Sequence, residues 1–349
     1  MTLASRSVLV SGANGFIAAH AVERLLARGD TVLGTVRNPD DPKHGFLRAL
    51  PGAERLSLSP ADLLDARSFL APASQADAVL HMASPYVMTV RDPQRDLVDP
   101  AVQGTLAVLE AAAKSPRVKR VVLTSSMAAV TDEPPTDRAL TEGDWNTRST
   151  LSRNPYYLSK TLAERAAWDF MVKAKPGFDL VVINPFLVVG PAHTAAINTS
   201  NQIFVDLLAG TYPVIMALDW GFVDVRDVAD AHLLALDNEQ ASGRYLCAAA
   251  NMSMVEVVRL VRAAGYRGKL PSLELTGAIG TSLMRLASYA QPQGVGSYLR
   301  SHLGRVPRVD TAKIRRELSM AFRPVEQSIR DTLADLARWG HIRGAEQAK

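Results

Sequence analysis

Along the first half of the chain, short apolar runs rich in β-branched residues alternate with longer stretches whose apolar positions recur every three or four residues. Val8–Val10, Thr31–Val36, Arg55–Leu58, Val79–Met82, Val121–Thr124 and Leu180–Ile183 have the length and composition of buried strands. Segments 15–28, 64–71, 95–114 and 155–173 carry the helical period between them. This alternation predicts an α/β fold, a doubly wound parallel sheet with helices on both faces. After Pro185 the alternation weakens, and Pro191, Gly210, Pro213, Pro271, Pro292, Gly294 and Gly296 break up shorter elements. Residues 1–184 thus read as one sheet-based domain, rejoined by 221–248, where Val225–Leu236 returns as a helix. Segments 185–220 and 249–349 read as a smaller, discontinuous part. A last helix is predicted from Pro324 to Arg338, with Pro in its first turn and Gly340 past its end. Val325, Ile329, Leu333 and Leu336 mark its docking face.

The first strand breaks into Gly12-Ala13-Asn14-Gly15-Phe16-Ile17-Ala18 and continues as a helix. Gly12 suits a tight turn, Gly15 a close approach of backbone to a pyrophosphate, and Ala18 a helix lying close on the sheet. Free N–H groups and the dipole at the helix start suit phosphates. Strand, turn and helix in this order predict a Rossmann-type dinucleotide site. The second strand ends at Arg37 with no carboxylate. An acid there holds the ribose 2′-OH of NAD, whereas an Arg accommodates the 2′-phosphate of NADP, so NADP(H) is the expected cofactor.

Tyr156 and Lys160 are four residues apart, hence on one face of the predicted helix. An ammonium on that face favours the phenolate, which lets the phenol exchange a proton near neutral pH. Thirty residues earlier a strand ends in Thr124-Ser125-Ser126. A hydroxyl from this run can hold the oxygen that receives the proton. The set suits carbonyl reduction or alcohol oxidation.

These elements resemble the extended short-chain dehydrogenase/reductase superfamily, and within it the dihydroflavonol-reductase and cinnamoyl-CoA-reductase group with its yeast and bacterial aldehyde and ketone reductase relatives. The resemblance rests on SGANGFIA (11–18), TVRNP (35–39), ADL (61–63), VLHMASP (79–85), DPAVQGTLAVLEAA (99–112), KRVVLTSSMAAV (119–130), YYLSKTLAERAAW (156–168), INPFLVVGP (183–191) and GFVDVRDVADAH (221–232). It implies that Ser126 is the catalytic hydroxyl, with Thr124 and Ser125 lining the cofactor. It implies that Lys160 also holds the nicotinamide ribose, and that Asn14, Phe16 and Ile17 join Gly12 and Gly15 in binding the cofactor. Lys43 is implied as a helper to Arg37, Asp62 and Leu63 as adenine contacts, and Ala83, Ser84, Pro185 and Val188 as a lining for ribose and nicotinamide. The expected substrate lining is Tyr86, Met127, Thr131, Tyr157, Phe186, Phe204 and Trp220. Thr131 stands where plant dihydroflavonol reductases carry an Asn that contacts the flavonoid, which turns the expectation toward an apolar or aryl aldehyde or ketone.

Composition excludes several other classes. The chain has 349 residues, 47% hydrophobic and 21% charged, as a globular enzyme does. The single Cys247 cannot form an intrachain disulfide. Seven scattered His, with no H-x-x-x-H pair, lead to an expectation of no metal site. Ser11, Ser125 and Ser126 lack the G-x-S-x-G elbow of a hydrolase. The run Leu180–Gly190 is too short to span a membrane and contains Asn184 and Pro185. No basic-then-apolar leader precedes the first strand, and a cytoplasmic protein is expected. Net charge is +4, with Lys and Arg concentrated between Arg259 and Arg316. These read as solvated helix faces and not a nucleic-acid surface, since aromatic interleaving is missing. An acidic substrate such as a CoA thioester stays compatible, and the expected partner is a small molecule. On the same fold, a nucleotide-sugar epimerase, a hydroxysteroid dehydrogenase and a non-catalytic NADP sensor remain as alternatives.

Overall fold

The computed structural model describes residues 5–84, 91–266 and 268–345. The chain opens with β1 (Ser7–Ser11), α1 (Phe16–Ala27), β2 (Thr31–Val36), α2 (Gly45–Arg48), β3 (Leu56–Pro60), α3 (Leu70–Gln75) and β4 (Ala78–His81). It continues through α4 (Asp99–Ala113), β5 (Arg120–Thr124), α5 (Pro155–Ala174), β6 (Asp179–Pro185), β7 (Leu187–Val189) and α6 (Thr199–Ala209). Then come β8 (Ile215–Met216), β9 (Asp219–Asp224), α7 (Val225–Asp237), β10 (Gly243–Cys247), β11 (Ala250–Ser253) and α8 (Met254–Ala263). The chain closes with β12 (Glu274–Leu275), α9 (Ala278–Ala287), α10 (Gln293–His302), α11 (Ala312–Glu317) and α12 (Val325–Arg338).

Seven parallel strands form the main sheet in the order β10-β6-β5-β4-β1-β2-β3. Val8, Leu9, Val10, Val121, Val122, Val181 and Val182 are buried, as strands covered on both faces require. Strand order reverses at β1, which pairs with both β2 and β4. A ligand crevice is expected beyond the strand ends at such a reversal. Ser11 and His81 stand side by side there, the last residues of β1 and β4.

A second sheet, β11-β9-β7, branches off after Pro185 and carries a separate core with Phe204, Trp220, Phe222, Met254 and Leu303. Helix α12 closes this core with Val325, Ile329, Leu333 and Leu336, all buried at helical spacing. Burying each such side chain contributes about 1.5–3 kcal/mol. Two later pieces return to the first core: β10 is the seventh strand, and Ile314, Leu318 and Met320 pack with α1 and α7. No helix among the described residues is long and apolar enough to cross a membrane.

Candidate active site

The glycine-rich turn is shaped by contacts that only glycine permits. Gly12 has φ +67°, and a Cβ there would come within 3.0 Å of the Ala83 Cβ. Gly15 caps α1 with extended backbone and no side-chain hydrogen bond, so the first turn of the helix presents its N–H groups to a ligand. Beneath it the Ser11 hydroxyl accepts N–H groups from Met82 and Ala83, each at 3.0 Å. Its proton therefore goes to His81 Nδ1 at 2.7 Å. Burial, with the Lys160 charge nearby, holds His81 down to about 3 and keeps it neutral. His232 is similar: Nδ1 donates to the Val228 carbonyl at 2.7 Å, and Nε2 accepts from Thr124 Oγ1 at 2.7 Å. This turn, without side chains in the way, fits the pyrophosphate of a dinucleotide.

A cavity of about 490 Å³ opens at the strand ends between the two sheets. Gly15, Phe16, Ile17, Ser84, Thr124, Ser125, Ser126, Met127, Tyr156, Tyr157, Lys160, Pro185, Phe186, Val188 and Trp220, all among the expected site residues, line it. Ser126 lies two residues past the end of β5 and caps a short 3-10 turn, its Oγ accepting from Ala128 N at 3.2 Å. Helix α5 enters with Asn154 in the left-handed region (φ 48°) before Pro155. Asn154 Nδ2 donates to the buried Asp132 and, at 3.1 Å, to Ser301. This holds a conformation that Asn tolerates better than most residues. Tyr156 is thereby set in the first turn of the helix, and Lys160 Nζ lies 5.7 Å from the centre of its ring. Lys160 donates to Ser84 Oγ at 2.7 Å. It has no carboxylate partner among the described residues, and burial lowers its pKa to about 8.

Other expected residues lie elsewhere. Arg37 is exposed just past β2, with no ion-pair partner among the described residues. Lys43 is exposed too, but pairs with Asp41 at 2.7 Å. Asn14 is exposed in the turn, and exposed Asp62 accepts from Leu64 N at 2.9 Å. The Leu63 side chain packs over Gly104. Two expected substrate residues do not reach the cavity. Phe204 is wholly buried in the second core, because α6 turns its apolar face inward. Thr131 is buried behind the 3-10 turn, and its Oγ1 accepts from Glu133 N at 3.1 Å. Tyr86 lies outside the described residues.

Residues 8–262 match the profile of the NAD dependent epimerase/dehydratase family. The chain belongs to that family, the extended short-chain dehydrogenase/reductases. Cinnamoyl-CoA reductase CAD2 of Medicago truncatula is 43% identical over 277 residues, covering 77% of this chain and 82% of its own. Cinnamoyl-CoA reductase 2 of Arabidopsis thaliana is 38% identical over 347 residues, covering 98% of this chain and 96% of its own. Among solved structures, yeast methylglyoxal/isovaleraldehyde reductase Gre2 complexed with NADPH superposes with a TM-score of 0.79 at 31% identity. That match covers 96% of this chain and all of the yeast chain. The dihydroflavonol-reductase and cinnamoyl-CoA-reductase group is thus the branch of the family to which this chain is similar.

This family member has site residues that sequence reasoning missed. Tyr298, His302 and Pro307 line the cavity from α10 and beyond. Tyr298 accepts from Trp220 Nε1 at 3.1 Å and stacks on His302 with ring centres 4.1 Å apart. Burial lowers His302 to about 4, so it is neutral. Glu164 lies one turn beyond Lys160, under the serines. It accepts from Ser125 Oγ at 2.5 Å and from Asn184 Nδ2 at 2.8 Å. Asn184 also donates to the Ser126 carbonyl at 3.2 Å. Nor are the late arginines merely solvated. Arg305 reaches Glu133 and the Pro134 carbonyl, and Arg308 the Thr136 carbonyl, stapling the C-terminal part to that loop.

Proposed function

We propose that the protein is an NADP(H)-dependent reductase that interconverts an apolar or aryl aldehyde or ketone and its alcohol. The observation that carries this is the cavity itself: Ser126, Tyr156 and Lys160 line it together with the start of α1 and with the apolar or aromatic Met127, Tyr157, Phe186 and Trp220. A nicotinamide cofactor supplies the hydride when bound. Gly12, Gly15 and the first turn of α1 hold the pyrophosphate, and Arg37 holds the 2′-phosphate. Lys160 serves the ribose side. Ser126 orients the carbonyl oxygen, and Tyr156 gives it the proton. The phenol then recovers a proton with help from the Lys160 charge. Among the described lining residues Lys160 is the only ammonium or guanidinium, and Asp219 adds a carboxylate. A nucleotide-sugar diphosphate buried there without basic partners would cost several kcal/mol. An aryl ring gains about 25 cal/mol per Å² of apolar area buried.

The names of the cinnamoyl-CoA reductases support a second reading, reduction of an aryl acyl-CoA thioester to the aldehyde and free CoA. One panel tests both. NADPH oxidation is followed by absorbance with aryl and aliphatic aldehydes, aryl ketones and aryl acyl-CoA thioesters. UDP-sugar epimerisation is measured separately. Turnover of free aldehydes or ketones supports the first reading. Turnover of thioesters alone supports the second, and epimerisation without net NADPH loss overturns both.

A further inference from the structure

Away from the cavity, α1 and the loop after β7 bring three donor side chains together. His20 and Glu23 are three residues apart on one face of α1, and His193 comes from the loop. Glu23 Oε2 lies 3.8 Å from His20 Nδ1 and 3.5 Å from His193 Nε2. The three donor atoms all lie within 4.8 Å of one another. His20 is only 5% exposed. Its Nε2 sits 2.9 Å from the Pro191 carbonyl. A carbonyl only accepts, so the ring proton is on Nε2 and the Nδ1 of the neutral ring is a lone pair. That Nδ1 is buried with no hydrogen-bond partner, and so is His193 Nε2. At 3.8 Å, even a protonated Nδ1 would be too far from the carboxylate for a hydrogen bond.

We propose that His20 Nδ1, the Glu23 carboxylate and His193 Nε2 form a binding site for a divalent cation of the Zn²⁺ class, with a fourth position open to solvent. Tetrahedral ligands about 2.0–2.2 Å from zinc stand about 3.4 Å apart, close to both carboxylate distances. The bond from His20 Nε2 to Pro191 is the outer contact that fixes tautomer and ring orientation in metal sites. Two imidazoles and one carboxylate suit zinc and its neighbours, whereas Mg²⁺ and Ca²⁺ demand oxygen ligands. With His193 Nε2 unprotonated, a bridging water brings only two protons to three acceptors, whereas a cation serves all three. Arg24 Nη1 lies 3.9 Å from the same Glu23 oxygen, but its Nε is committed to Asp230. An ion here would tie α1, which starts at the glycine-rich turn, to the loop that reaches the cavity at Ile197 and Asn198. The sequence hid this site, because the two His are far apart along the chain and the i, i+3 pair on α1 is His with Glu.

The test uses full-length, tag-free protein stripped with a chelator. Zn²⁺ binding is measured by calorimetry, Co²⁺ by its visible d–d absorption, and Mg²⁺ serves as the oxygen-preferring control. Expected are one Zn²⁺ per chain, four-coordinate Co²⁺ bands and no competition from excess Mg²⁺. Glu23→Gln and His193→Ala should each weaken Zn²⁺ binding by about tenfold or more while NADPH binding and circular dichroism stay as in wild type. Wild-type protein that takes up no Zn²⁺ would overturn the proposal. So would Zn²⁺ affinity unchanged in both variants, which would locate the ion elsewhere.

Discussion

Glu164 and Arg244 form an ion pair shielded from water: Arg244 Nε lies 2.6 Å from Glu164 Oε1, with side-chain exposures of 6% and 0%. Arg244 also donates to the carbonyls of Glu142 and Asp144 and covers the Trp145 ring at 3.9 Å. The pair joins β10 to the helix that carries Tyr156 and, through Ser125 and Asn184, braces the backbone of Ser126.

Arg244→Met should therefore destabilise the protein by about 3–5 kcal/mol, since it leaves a buried carboxylate unpaired. Glu164→Gln should cost less, because the amide oxygen still accepts from Arg244 and the guanidinium keeps its carbonyl partners. Urea unfolding of both variants checks the order; equal losses would contradict it.

Tyr156→Phe should lower turnover by about 10²–10⁴ on the best carbonyl substrate, the range for loss of a general acid. NADPH affinity, read by fluorescence titration, should stay near wild type. A variant that keeps more than about a tenth of wild-type kcat would remove Tyr156 from that role.

Arg37→Asp should lower kcat/KM with NADPH about 10- to 150-fold relative to NADH, the worth of a charge-assisted hydrogen bond. Lys43→Ala should do less, since Lys43 is 60% exposed and already paired with Asp41. An unchanged NADPH/NADH ratio in Arg37→Asp would refute the 2′-phosphate assignment.

Burial lowers Lys160 to about 8, so its ammonium is present below that pH and lost above it. Carbonyl reduction should hold up to about pH 8 and then fall as one proton leaves. Stability should move the other way. The folded protein releases this proton near 8 and the unfolded chain near 10.5, so stability rises with pH across that window. Lys160→Met should erase that rise in pH-dependent unfolding. An activity profile flat to pH 10 would argue against a charged Lys160 in the reaction.

Periodicity and turn residues located the six strands from β1 to β6 to within three residues at each end. The cavity wall from Gly15 to Lys160 was legible because each residue stands at a strand end or helix start, where chain order dictates position. The lining residues from the C-terminal part were not. Tyr298 and His302 are about 140 residues beyond Tyr156, on a helix whose pattern says nothing about which sheet it will face. Phe204 illustrates the converse: an apolar residue on α6 suits a pocket or a core equally well, and only packing decides between them. Glu164 stood in plain view at i+4 from Lys160, but its partner Arg244 is 80 residues downstream, and no local signal marks a carboxylate for burial.

The Ser11 hydroxyl accepts two N–H groups and donates its one proton to a His81 nitrogen of fixed tautomer. It has no spare hydrogen-bonding capacity and no alternative rotamer that keeps all three partners. The junction of β1 and β4 is thus locked before any nucleotide arrives. The conformational entropy lost in shaping the phosphate seat falls on folding and not on association. Cofactor capture at this end of the cavity should resemble a key entering a finished lock, leaving adaptive movement to the substrate end.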